Sequence, residues 1–312
     1  MKSIIILLLF LFVPKIILAQ VTDNDEISYI DSLGQYGTFE NYKYLRVIKN
    51  LKIPNLDAYP IKEYYKSGKI AMAGTINSAE KKTKVGSFTY FYESGTKKSI
   101  DIYKDGFVQT RYDFYENGAK KLVTDFETSN FHLSNSIKIS QFWDEKGEQK
   151  VIDGNGFLEI NDKNESEKGE IKNGLKHGLW KGYHYDISYK ETYGNGKLVS
   201  GISTDKALVD YPYTELEIKP TPVKGMENFY EHVAKNFNTP NVEGLKGKVY
   251  LAFVVEIDGS MTNIKVLKDL GYGTGEEAIR AIKNYKGWVP GVQRGRKVRC
   301  TFSLPISIAS AN

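Results

Sequence analysis

An aromatic pair followed closely by a glycine recurs four times, at Tyr64-Tyr65-Lys66-Ser67-Gly68, Phe91-Tyr92-Glu93-Ser94-Gly95, Phe114-Tyr115-Glu116-Asn117-Gly118 and Phe142-Trp143-Asp144-Glu145-Lys146-Gly147. Looser copies follow at Lys172-Asn173-Gly174 and Tyr193-Gly194-Asn195-Gly196-Lys197. Successive glycines lie 27, 23, 29, 27 and 22 residues apart. A period near two dozen with drift is what hairpin repeats produce, because loops vary in length more than strands do. Ser-Gly and Asn-Gly reach positive φ, which predicts two-residue hairpin turns. Phe88, Tyr90 and Tyr92 alternate with Thr89, Phe91 and Glu93, a strand pattern. Lysines at the strand exits, such as Lys69, Lys97, Lys98, Lys120, Lys121 and Lys197, suit exposed edges. Residues 20–205 are therefore expected to form an antiparallel β-meander of hairpin repeats whose aromatics pack the sheet. A further strand is expected around residues 42–48, with Pro54 and Pro60 as boundaries.

The first residues read MKSIIILLLFLFVPKIILAQ, with Lys2, an apolar run from Ile4 to Val13, and Ala19 before Gln20. This is the pattern of a secretory signal peptide, residues 1–19, cleaved after Ala19. A spanning helix takes about 20 apolar residues, and Pro14 and Lys15 interrupt this run. An exported, soluble mature chain is therefore expected over an inner-membrane anchor.

Composition removes several classes of function. The 43 Lys+Arg against 38 Asp+Glu leave a net charge of +5, too small an excess to suggest nucleic acid. One cysteine, Cys300, excludes an internal disulfide framework and any CxxC site. His132, His177, His184 and His232 fall at no metal-ligand spacing. Gly271-Tyr272-Gly273-Thr274-Gly275 departs from the dinucleotide fingerprint and lies in an antiparallel context, so it reads as a tight loop feeding a helix. No catalytic group, cofactor, metal or small-molecule substrate is expected.

The pattern changes across residues 206–222, where Tyr211-Pro212-Tyr213 and Lys219-Pro220-Thr221-Pro222 read as a stiff linker. Met226, Phe229, Tyr230, Val233, Ala234 and Phe237 then follow helical spacing, stopped before Pro240. Val249, Leu251, Phe253, Val255 and Ile257 share one strand face. Asp258-Gly259 supplies a turn, and Ile264 and Val266 return on the next strand. Thr274 with Glu277 reads as a capping box, opening a helix whose inner stripe is Ala278, Ile279, Ile282 and Tyr285. Trp288 and Pro290 close it. Val298, Cys300, Phe302 and Leu304 alternate inward on a last strand, with Arg299, Thr301 and Ser303 outward. The expected fold is thus β-rich and two-domain, with residues 223–308 forming an αββαβ unit of three antiparallel strands and two helices. Residues 214–312 carry a complete core and are expected to fold alone.

The stretches YYKSGKIAMAGT, FYESGTKKSIDIYKDG, FYENGAKKL and KNGLKHGLWKGYHYD, within residues 63–201, resemble MORN-variant repeats of bacterial exported proteins. That resemblance implies an extended spacer or interaction surface without catalytic residues. The run from Gly247 to Ile308 is similar to the C-terminal domain of TonB-type energy transducers. Gly247-Lys248-Val249, Val254-Val255-Glu256, Asp258-Gly259-Ser260, Glu276-Glu277-Ala278, Trp288-Val289-Pro290-Gly291 and Leu304-Pro305-Ile306 stand where that family has them. Relatives often carry Tyr-Pro after the first helix, where this chain has Phe237-Asn238-Thr239-Pro240.

The TonB resemblance implies a periplasmic adaptor that captures a segment of an outer-membrane transporter, or another envelope protein, by strand addition. The expected edge is Arg296 to Leu304, with Arg294, Arg296, Val298, Arg299 and Thr301 as partner-binding residues. Arg294, Arg296, Lys297 and Arg299 form a basic cluster that reads either as a solvated edge or as a contact for an acidic partner. The family has an uncleaved membrane anchor and a Pro-rich stalk, whereas here the leader reads as cleavable and hairpin repeats replace the stalk, so binding carries over and energy coupling is left open. The alternative is a non-enzymatic scaffold or antitoxin-like protein acting through the repeats. A homodimer is also left open.

Overall fold

The computed structural model describes residues 22, 24–32, 34–50, 53, 58–77, 82–127 and 136–309. The expected leader, His132 and the Pro54 boundary lie outside the described residues. The chain divides into two compact units, Met1–Asp162 with Ser166–Gly178, and Lys163–Glu165 with Leu179–Asn312.

The first unit is built of β1 (Glu26–Ile30), β2 (Tyr44–Ile48), β3 (Tyr59–Tyr65), β4 (Ile70–Ile76), β5 (Lys84–Phe91) and β6 (Lys97–Lys104). It continues with β7 (Phe107–Phe114), β8 (Lys120–Glu127), β9 (Ser136–Trp143), β10 (Gln149–Ile152), β11 (Asn155–Asn161) and β12 (Glu165–Lys172). The strands pair antiparallel in the order in which they occur in the chain. Neighbour-only pairing follows from short connections, which return each strand directly alongside the last.

Two kinds of turn make the connections. After β3, β5, β7 and β9 the chain closes through a wider loop. Tyr65 N–H donates to Lys69 O and Gly68 N–H to Tyr65 O, and the same pair of bonds recurs at Tyr92, Tyr115 and Asp144. Only the glycine takes positive φ there, +84° at Gly68, as in a type I turn followed by a glycine bulge. The expected two-residue turn occurs instead at Asp105-Gly106, Asp153-Gly154, Asn173-Gly174 and Asn195-Gly196, where both residues have positive φ. Sequence reasoning merged the two because both end in glycine.

The second aromatic residue of three motifs has a common use. Tyr65 OH donates to Phe91 O at 2.6 Å, Tyr92 OH to Phe114 O at 3.0 Å, and Tyr115 OH to Trp143 O at 2.9 Å. Each phenol thus satisfies a carbonyl at the tip of the next hairpin. The series ends where Trp143, which lacks a hydroxyl, stands in the tyrosine position. On the sheet faces, Ile48, Ile61, Met72, Ile76 and Phe88 form one cluster and Leu45, Val47 and Tyr64 another. Phe88 lies so close over Gly74 that a Cβ there would sit 2.4 Å from the ring.

The second unit contains the greater part of β13 (Leu175–His184), β14 (Ile187–Gly194), β15 (Lys197–Thr204), β16 (Asp210–Tyr213), β17 (Glu217–Ile218) and β18 (Thr221–Pro222). Then come α1 (Gly225–Asn236), β19 (Lys246–Val255), β20 (Met261–Lys268) and α2 (Thr274–Lys283). It ends with β21 (Trp288–Val289), β22 (Gly291–Gln293), β23 (Arg296–Val298) and β24 (Cys300–Ala309). A three-stranded antiparallel sheet in the order β20-β19-β24 carries the two helices. Phe229 and Val233 of α1, Ala278 and Ile282 of α2, and Val249, Leu251, Phe253, Val255 and Leu304 of the sheet are buried together.

Three local expectations change. Ile257 is 56% exposed, because the strand ends at Val255 and the turn begins before Asp258. Thr274 is the first residue of α2 and Gly273 is its cap, without a side-chain capping bond. The Thr274 hydroxyl donates to Gly271 O, while Glu277 accepts from Asn238 N–H and Arg280, so no capping box forms. Finally, the expected last strand divides at Arg299. Residues 296–298 pair with β22, beside β17, and only Cys300–Ala309 joins the main sheet. Among the described residues no helix is long and apolar enough to cross a membrane.

Candidate functional site

The three-stranded sheet has two edges, and they differ in chemistry. On β20 the register against β19 shifts twice, and Asn263 takes φ of +52°. Bulges of this kind, together with exposed Lys265 and Lys268, blunt an edge against pairing. In contrast, β24 runs in unbroken register with β19, from Cys300 opposite Val255 to Ala309 opposite Lys246. Its far side pairs with no strand among the described residues.

The direction of the backbone groups along β24 follows from the β19–β20 turn. Glu256 N–H donates to Ser260 O, so the groups of Glu256 face β20. Along a strand these directions alternate, and the extra residues of both register shifts lie on β20, leaving β19 regular. Val255, Phe253, Leu251 and Val249 therefore pair with β24, while Val254, Ala252 and Tyr250 pair with β20. The residues opposite the latter set, Thr301, Ser303 and Pro305, and by continuation Ser307 and Ala309, direct their backbone groups to the open side. The side chains of all five are exposed and none is charged.

Beside the end of this edge lies a groove of about 470 Å³. Tyr230, Val233, Ala234 and Phe237 of α1 and its C-terminus form one wall, and Pro305 to Ala309 the other. An extended segment laid along β24 would meet backbone partners on one side and an apolar trough for alternate side chains on the other.

The five residues singled out in the sequence do not assemble there. Thr301 lies on β24. Arg299 stands between β23 and β24 and holds Glu256 in a bidentate pair at 2.5 and 2.9 Å. That pairing raises the guanidinium pKa and lowers the carboxyl's. Val298 is opposite Gly291 in the β22–β23 hairpin. Arg296 lies 5.6 Å over the Tyr211 ring.

Arg294, at the tip of that hairpin, turns inward. Its Nε donates to Glu191 Oε1 at 2.7 Å and its guanidinium lies 3.9 Å over the ring of Tyr189. Tyr213 OH and Tyr193 OH also donate to Glu191, at 2.6 and 2.9 Å, and Ser203 Oγ donates to Arg294 O at 2.7 Å. The Tyr213 ring lies against Gly201, where a Cβ would sit 2.4 Å from it. Burial raises the carboxyl pKa of Glu191, but the bonds from Arg294, Tyr213 and Tyr193 outweigh it and hold the group below its ordinary value. This cluster is a structural clasp tying β14–β16 to the β22–β23 hairpin. Sequence reasoning missed Glu191, although its alternation with Tyr189 and Tyr193 places all three on one face.

Among the described residues no group of three or more His, Cys, Asp or Glu is placed to hold a metal ion. No curated protein matches the chain. Residues 241–307, which run through β19, β20, α2 and most of the open edge strand, match the family model described as Gram-negative bacterial TonB protein C-terminal.

Proposed function

We propose that this protein is a periplasmic adaptor, exported by a leader cleaved after Ala19. Its C-terminal domain takes up an extended segment of an outer-membrane transporter as a fourth strand beside β24. The reading rests on the open, regular and uncharged edge of β24 with its neighbouring groove. The family match over residues 241–307 supports a non-catalytic role in TonB-dependent transport. Main-chain bonds to Ser307 and Ala309 supply affinity, and the trough against Tyr230, Ala234 and Phe237 selects apolar side chains. The preceding strands act as a spacer of MORN-type hairpin repeats. The recurring tyrosine-to-carbonyl bonds, which span 26, 22 and 28 residues, support tandem copies of one unit.

The test is titration of the mature chain with peptides from the periplasmic segments of TonB-dependent transporters. The Ser307 N–H faces the open side, so Ser307→Pro removes a docking donor without touching the internal ladder. We expect this variant to bind about tenfold more weakly or worse, and Ser307→Ala to bind like the parent. Equal binding by a folded Ser307→Pro chain, or a parent that binds none of the peptides, would refute strand addition here.

A further inference from the structure

Pro305 occupies the middle of the open edge. Of the five residues whose backbone groups face outward, Thr301, Ser303, Pro305, Ser307 and Ala309, it is the third, and it alone has no N–H. The edge therefore offers five carbonyls but four donors. Its position is compatible with the sheet because the pair Tyr250–Pro305 is one whose groups point away from each other. The nitrogen thus costs the internal ladder nothing, which is where proline is tolerated in a sheet.

We propose that Pro305 is a specificity element that reserves this edge for an unlike strand and denies it to a second copy of the chain. The proposal rests on the reading of β24 as a docking edge. Two copies pairing edge to edge would be related by a two-fold axis, and symmetry makes every contact occur twice. The register that uses the whole edge is centred on residue 305 and sets Pro305 against Pro305. Two carbonyls then face each other and neither finds a donor. Registers shifted to centre on 303 or 307 place Pro305 opposite 301 or 309 in both copies, so two bonds are again missing from a shorter ladder. An unlike strand meets Pro305 once. Its own N–H donates to Pro305 O, and a single carbonyl goes unanswered. Self-pairing is thus penalised twice where partner binding is penalised once. The other usual protections are missing from this edge, since its outward side chains carry no charge and its register holds no bulge.

Pro305→Val restores the donor with a residue suited to strands. Sedimentation velocity of the full mature chain over a range of concentrations is the measurement, after circular dichroism has confirmed the fold. We expect Pro305→Val to self-associate about tenfold more tightly than the parent, or more. Adding Ser307→Pro to Pro305→Val removes a neighbouring donor and should return the chain to the parent's behaviour. Indistinguishable self-association of parent and folded Pro305→Val would overturn the proposal. So would a double variant that stays as associated as Pro305→Val, because pairing would then lie elsewhere. No partner enters this measurement, so a parent that captures no transporter peptide fails the functional reading and leaves this result to stand or fall by itself.

Discussion

Replacing Glu191 by alanine is expected to cost the C-terminal unit about 3–5 kcal/mol, because it leaves Arg294 enclosed without its counter-charge. Glu191 is fully buried and accepts from Arg294, Tyr213 and Tyr193. Arg294→Ala should cost a similar amount, and the double variant much less than the sum, since the two act through one contact. Urea denaturation followed by tryptophan fluorescence measures all three. A Glu191→Ala chain as stable as the parent at neutral pH would mean that the pair returns only what its desolvation costs. The carboxyl also sets an acid limit. Its pKa is lowered on folding from the ordinary 4.5. Its contribution is therefore complete above pH about 4.5 and is lost as the pH falls through the lower folded value. The stability difference between the parent and Glu191→Gln should shrink over that acid range.

The second large effect is expected in the sheet core. Phe253 is buried between Trp288, edge-on at 5.4 Å, and Phe302, stacked at 5.4 Å, and Trp288 in turn meets Phe229 at 5.2 Å. Phe253→Ala removes a ring that touches partners on β21 and β24 at once, and cores of this kind lose about 3–5 kcal/mol. Ile257→Ala, in the exposed turn two residues beyond the strand, should change stability by less than about 0.5 kcal/mol. If both substitutions cost the same, the turn residue would have to be buried in solution, contrary to its exposure here.

Those two positions show what was legible in the sequence. Alternation alone identified Val249, Leu251, Phe253 and Val255 as core, because a buried face with period two leaves no other reading. It carried on into Ile257, since periodicity does not mark where a strand gives way to a turn. The division at Arg299 was hidden for a related reason. Val298 and Cys300 keep the alternation although they belong to different sheets, and only the pairing of β22–β23 with β17 separates them. The basic cluster was visible as charge, but charge does not report direction. Arg294 is enclosed against Glu191, while Arg299 spans an exposed pair with Glu256. The expected edge, Arg296 to Leu304, overlaps only the start of the open strand, and the groove of α1 runs beside its later part, at Pro305 to Ala309.

The clasp between Glu191 and Arg294 has a further consequence for the order of assembly. Its partners are 103 residues apart, whereas each strand of the long sheet pairs with its chain neighbour. Local pairings form quickly and distant ones carry a larger closure cost before they contribute. Arg294 cannot reach the carboxylate until its own hairpin exists, so the clasp is expected to form after the main folding barrier. Stabilisation acquired there slows unfolding and leaves the folding rate nearly unchanged. In stopped-flow measurements Glu191→Ala should therefore unfold several hundredfold faster than the parent, or more, while refolding at the same rate. The clasp then governs how long the folded unit lasts once formed.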